Sequence, residues 1–204
     1  MTQPGLRERK KQQTRDALES AALRLFQAKG YGNTTVAEIA AAAGVSTKTL
    51  FNYFSGKEDV LFGRRRQRID DMERLLAEEL RETPPAQALP RVAERLLDWT
   101  AARDAAAQAD DVAEIRLIMT VPELRARLLS LAWELQRRLS AVLCAAYPRH
   151  IDPVTAAGAV GALVGAMHAA ARESLDSGGT AAELRAAARR GLAVAARGLD
   201  RLGE

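Results

Sequence analysis

Ser46, Thr47, Lys48, Thr49 and Asn52 bring hydroxyl, ammonium and amide groups together in one short stretch. Such groups exchange hydrogen bonds with base edges and phosphates, and none of them breaks bonds without a partner acid or base. Leu50 and Phe54 stand four apart among them, so one face of a helix turns inward and the polar set faces out. Ser46 suits the N-cap of that helix. Upstream, Thr35 and Glu38 stand in the S/T-x-x-E arrangement that satisfies free backbone donors at a helix start. Ile39 and Ala40 point inward, and Ala40 is small enough for a second helix to cross closely. Gly44 falls where the chain must reverse, in a conformation open to a residue without Cβ. Val45 seals the corner. Two short helices meeting at a glycine turn form a helix-turn-helix, and its partner is duplex DNA.

The charge distribution agrees. Residues 1–68 contain 13 Lys and Arg against 6 Asp and Glu, net +7, whereas residues 69–204 are net −3. All five lysines lie in the first part. A basic head on a mildly acidic body suits phosphate neutralisation and counterion release. Arg7, Arg9, Lys10 and Lys11 form one further basic cluster, and Arg64, Arg65, Arg66 and Arg68 another, as candidate backbone contacts.

The elements that must position these groups read as an all-α chain of about nine helices, rich in Ala, Arg, Leu and Glu. A first helix, from Leu6 or Thr14 to Lys29, carries Leu18, Ala22, Leu25 and Phe26 at helical spacing. A fourth, from near Ser55 or Lys57, runs toward Thr83-Pro84-Pro85 and links head to body. Residues 11–71 form the DNA-binding domain, with its motif at about 35–54, and residues 72–204 a ligand-binding and dimerisation domain. Five body helices follow, one of them capped by Thr120 with Glu123. The last two span about Asp152 to Ser177 and Thr180 to Leu202.

Those two helices carry small residues at alternating spacings of three and four. Gly158, Gly161 and Gly165 mark the first, and Leu184, Ala188, Gly191 and Ala195 the second. Interior glycines each cost a helix about 1 kcal/mol, which close helix-helix approach offsets. A monomer can use such a stripe between its own helices. A two-fold dimer can build a four-helix interface from it, and a palindrome reader needs two heads.

Other function classes fare badly. His150 and His168 have no metal-ligand spacing, and no nucleophilic triad order or phosphate-cradling loop appears, so no catalysis, metal or cofactor is expected. Cys144 is alone, which suits a reducing cytoplasm. No secretory leader precedes the charged start, and no run appears long enough for a membrane span.

With these residues in view, the chain resembles the TetR family of bacterial regulators. The resemblance rests on Phe26…Gly30-Tyr31, Thr34-Thr35, Ile39-Ala40, Ala43-Gly44-Val45-Ser46, Leu50, Tyr53-Phe54 and Lys57-Glu58. Its Ala and Arg content is similar to that of proteins from GC-rich actinobacterial genomes. The resemblance implies that Thr34, Thr35, Tyr53 and Lys57 contact phosphates and that Ser46, Thr47, Lys48, Thr49 and Asn52 form the recognition face. It implies a body that binds a small effector, with Trp99, Arg103, Met119, Trp133, Met167 and His168 as candidate pocket residues. Few charges fall on the inner stripes, so that effector is expected to be mostly apolar, with Arg103 or Arg116 available for a carboxylate. The expected protein is a cytoplasmic, homodimeric repressor released from palindromic operator DNA by its effector. A constitutive architectural binder and an activator are the alternatives.

Overall fold

The computed structural model describes residues 5–101 and 105–199, without the side chains of 6–8, 64, 99–101 and 105–111. Among the described residues there are nine α-helices and no strand. They are α1 (Leu6–Lys29), α2 (Val36–Ala42), α3 (Thr47–Phe51), α4 (Lys57–Glu79), α5 (Pro85–Ala101), α6 (Ala105–Thr120), α7 (Pro122–Ala146), α8 (Pro153–Asp176) and α9 (Ala181–Ala196), with a short 3₁₀ turn at Arg197–Leu199.

Two compact units emerge. Among the described residues, one contains 5–64 with Leu117–Arg125, and the other 65–101, 105–116 and 126–199. The sequence boundary at 71/72 therefore falls inside α4, which belongs to both units.

The first unit is built on Leu18, Ala22, Phe26, Ile39, Ala40, Leu50 and Phe54, all essentially inaccessible to solvent. Phe26 and Tyr31 pack with ring centroids 5.1 Å apart. The α2–α3 reversal is made at Gly44 with φ of 69°, the left-handed conformation that a Cβ would strain. The second unit has one continuous core through Met72, Leu76, Val92, Leu143, Val160, Leu163 and Leu192.

Helix starts follow local chemistry. Asp152 caps α8 by accepting the N–H groups of Val154 and Thr155, and Thr180 with Glu183 makes a capping box for α9. Thr120 does not cap α7. It lies in the last turn of α6, and its hydroxyl donates to the Leu117 carbonyl at 3.0 Å.

α8 corrects one expectation. By length and composition it could cross a membrane, with a mean hydropathy of 1.5 over its most apolar window. Its apolar character comes mainly from Ala, Gly and Val rather than from large side chains. Only 33% of that window is buried within the chain.

Candidate nucleic-acid interface and ligand cavity

The head positions its helices through shared caps. Thr35 Oγ1 accepts the Glu38 N–H at 3.3 Å and gives its own proton to the Glu38 carboxylate at 2.7 Å. The Lys29 ammonium pairs with the other Glu38 oxygen. That bond, followed by those from Thr35, holds the Glu38 carboxyl at a pKa of about 2. Thr34 is buried, and its hydroxyl donates to the Gly30 carbonyl at 2.9 Å. Both threonine hydroxyls thus donate within the head.

At α3, Ser46 Oγ accepts the Thr49 N–H at 3.1 Å and lies 2.8 Å from the Thr49 hydroxyl. Ser46 and the half-buried Thr49 are thus spent on capping. The outward face is Thr47, Lys48, Phe51 and Asn52, all exposed. Phe51, at 53% exposure, is absent from the sequence-derived set. Its position four after Thr47 was the available signal, because i and i+4 share a helix face. Tyr53 is half-buried.

Lys57 reaches back to the turn that precedes α2. Its ammonium donates to the Tyr31 carbonyl at 2.9 Å and the Thr34 carbonyl at 3.3 Å. It also lies 4.2 Å from the centre of the Tyr31 ring. An ammonium has three donors, so two are committed to backbone and the aromatic face occupies a further side.

The second unit contains a small cleft of about 50 Å³. Its walls are Met72 and Leu76 from α4, Leu89, Val92 and Leu96 from α5, Leu135 and Leu139 from α7, and Val160 to His168 from α8. The lining is almost wholly apolar. Met167 and His168 are among the residues that line it. Met119 is not in this wall, and Trp133 is 73% exposed beside a separate outer groove formed with Arg137, Ser140, Cys144 and Pro153. Arg103 and the Trp99 side chain lie outside the described residues. On the outside of this region, Arg138 of α7 donates to Glu73 and Asp70 of α4, each at 2.7 Å.

His168 keeps an exposed edge, yet its apolar surroundings lower its pKa below the ordinary 6.5. The unfolded chain then binds a proton at higher pH than the folded one. Stability should be full above the unfolded value and decline as pH falls from about 6.5 toward the lower folded pKa. His168→Leu should flatten that decline, as read from urea midpoints at about pH 5 and pH 7.5.

The two small-residue stripes are used differently. Leu184, Ala188 and Gly191 are buried in the chain's own core, and Ala195 is packed against it. A Cβ on Gly191 would fall 2.3 Å from the Ala166 carbonyl oxygen, so this glycine lets α9 lie against α8. These four residues therefore pack within the chain itself. On α8, Gly158 and Gly165 have nothing within 4 Å of an added Cβ, and Gly161 has only the Gln136 side chain at 3.8 Å. These glycines and Val154, 82% exposed, form an uncovered apolar face.

A capped helix-turn-helix joined through one long helix to a helical unit with an apolar cleft defines the class: a helix-turn-helix protein with a cavity-bearing helical body. Residues 18–62 match the model of bacterial regulatory proteins, tetR family. The transcriptional regulator TcmR of Streptomyces glaucescens is 36% identical over 150 residues, covering 70% of this chain and 64% of TcmR. The chain therefore spans about two thirds of that relative's length. Among solved structures, FadR from Bacillus subtilis in complex with stearoyl-CoA has a TM-score of 0.55 at 20% identity, over 90% of this chain and 98% of that one. A complex of SmeT with triclosan has a TM-score of 0.61 at 15% identity, over 91% and 90% of the two chains. The chain belongs to the TetR family of bacterial regulators.

Proposed function

We propose that this chain is a sequence-specific DNA-binding transcriptional regulator, acting in the cytoplasm as a homodimeric repressor released from a palindromic operator by a mostly apolar effector. The observation that carries the reading is the exposed Thr47-Lys48-Phe51-Asn52 face on a helix whose remaining polar groups are used in capping. Lys48 is a donor for guanine O6 or N7, Asn52 fits adenine, and Phe51 offers apolar contact to a thymine methyl. The uncovered α8 face supports pairing of two copies, because contiguous exposed apolar surface on a folded domain marks an interface. The cleft supports an effector, and FadR and SmeT, of similar fold, hold stearoyl-CoA and triclosan.

Selection from random-sequence duplexes tests the central claim. The full chain should enrich a two-fold symmetric site with half-sites about one helical turn apart, or a multiple of it. Lys48→Ala should cost about 1–3 kcal/mol on that site and relax the preference at one base pair per half-site. Recovery of no sequence preference would sink the reading.

A further inference from the structure

The apolar cleft of the second unit has a single polar side chain in its wall. Twelve of the residues that line it are Leu, Val, Met or Ala, and the remaining one is His168. No other titratable or charged side chain lines the cleft. His168 reaches it because Val160, Val164 and His168 recur at intervals of four along α8 and so share one helix face. Among the described residues, no hydrogen bond or ion pair engages the imidazole. The next cation along this face, Arg172, is already paired with Asp176 at 2.6 Å. Burial lowers the pKa of His168 below 6.5, so near neutral pH the ring is uncharged and one of its nitrogens carries a free lone pair.

We infer that His168 is the specificity-determining residue of the cleft and that it selects an apolar aromatic ligand carrying one phenolic hydroxyl. This rests on the effector-binding reading above and names the ligand class of that site. A wall with one polar group suits a ligand with one polar group, because any further hydroxyl or amide would give up water without finding a partner. A phenol, with a pKa near 10, enters uncharged and donates its proton to the imidazole lone pair. A carboxylate would enter fully charged, with two oxygens before one neutral imidazole and no cation in the wall to replace its hydration. The aromatic ring is met by Met72 and Met167, whose thioethers pack favourably against ring edges. Both side chains are unbranched and adaptable, so they can yield where a ring needs more than the cleft's 50 Å³ or so.

The test titrates the full-length protein, near neutral pH, with para-ethylphenol, with its methyl ether para-ethylanisole, and with hexanoate. The first two differ only in the hydroxyl proton. The wild type should bind the phenol about fivefold more tightly than the ether, the worth of one net hydrogen bond. His168→Leu keeps an apolar wall without the acceptor, and should bind the two alike within about twofold. A measurement on the wild type holds even if the variant fails to fold. His150 and His168 are the only histidines, and His150 is exposed in the turn before α8, so it serves as an internal reference. The imidazole ¹⁵N resonances of His168 should shift when the phenol is added and stay near their free positions with the ether. Equal wild-type affinity for phenol and ether would overturn the inference, as would a preference that survives in His168→Leu. Tighter binding of hexanoate than of the phenol would assign the cleft to acids and overturn it too. Each of these results leaves effector binding in the cleft standing. Binding of none of the three compounds would remove the cleft as a ligand site and overturn the effector reading, and this inference with it.

Discussion

Gly191→Ala should destabilise the second unit by about 1–3 kcal/mol, whereas Gly165→Ala should stabilise it by up to about 1 kcal/mol. The substitutions are chemically identical, and both glycines lie inside helices where alanine is preferred by backbone entropy. Their surroundings decide the sign. At position 191 an added Cβ meets the Ala166 carbonyl oxygen at 2.3 Å, its carbon at 2.8 Å and the Ala170 methyl at 3.0 Å. The first two are backbone atoms, so relief requires moving α8 from α9 across the largest helix pairing of the unit. At position 165 nothing lies within 4 Å, so the propensity gain stands alone. Urea denaturation of the two variants reads the difference directly. The α8 stripe can then be separated from the fold. Gly165→Leu should leave the chain folded while sedimentation shows monomers, because the leucine projects from the uncovered face. A Gly165→Leu dimer with normal operator binding would remove this face from the interface.

Much of the fold was legible because local chemistry and periodicity agreed. Thr35 with Glu38, Gly44, Ser46 and the Leu50–Phe54 pair each specify one structural act, and together they leave few alternatives to a helix-turn-helix. The starts of α8 and α9 were marked by Asp152 and Thr180. What sequence could not show was where a polar group spends its hydrogen bonds. Thr34, Thr35 and Thr49 look like free hydroxyls in a string of letters, but burial and capping commit each of them. Lys57 appears as a surface cation because the carbonyls that hold it lie more than twenty positions upstream. Long-range packing hid the rest. Trp133 and Leu129 look like a second buried side of α7 in the sequence, yet they are 73% and 57% exposed. The α9 stripe has the spacing of an intermolecular seam, yet its partner is α8 of the same chain.

An effector bound in the cleft should weaken operator binding roughly 5- to 150-fold, a coupling of about 1–3 kcal/mol. The argument begins with the wall. Met72 and Leu76 make α4 part of the cavity, and α4 also contributes Lys57, which holds the α2 entry. A ligand that needs more room than the cleft provides can take it by displacing the Met72–Leu76 stretch, the one part of the wall continuous with the head. Arg138, on Glu73 and Asp70, holds that stretch in register with α7 and defines the position to be left. Affinity for both states alike would shift nothing, so the ligand must bind the displaced state more tightly. By linkage, saturating operator must weaken the ligand by the same factor. Stearoyl-CoA and triclosan serve as first probes, with binding followed by calorimetry and operator release by anisotropy. The indole of Trp133 is unsuited as a reporter because it lies outside the cleft. Met167→Phe, which narrows the cleft without outgrowing it, should weaken ligand binding while leaving operator affinity near wild type. A ligand that binds in the cleft with operator affinity unchanged would defeat effector gating, and an architectural DNA binder would take its place.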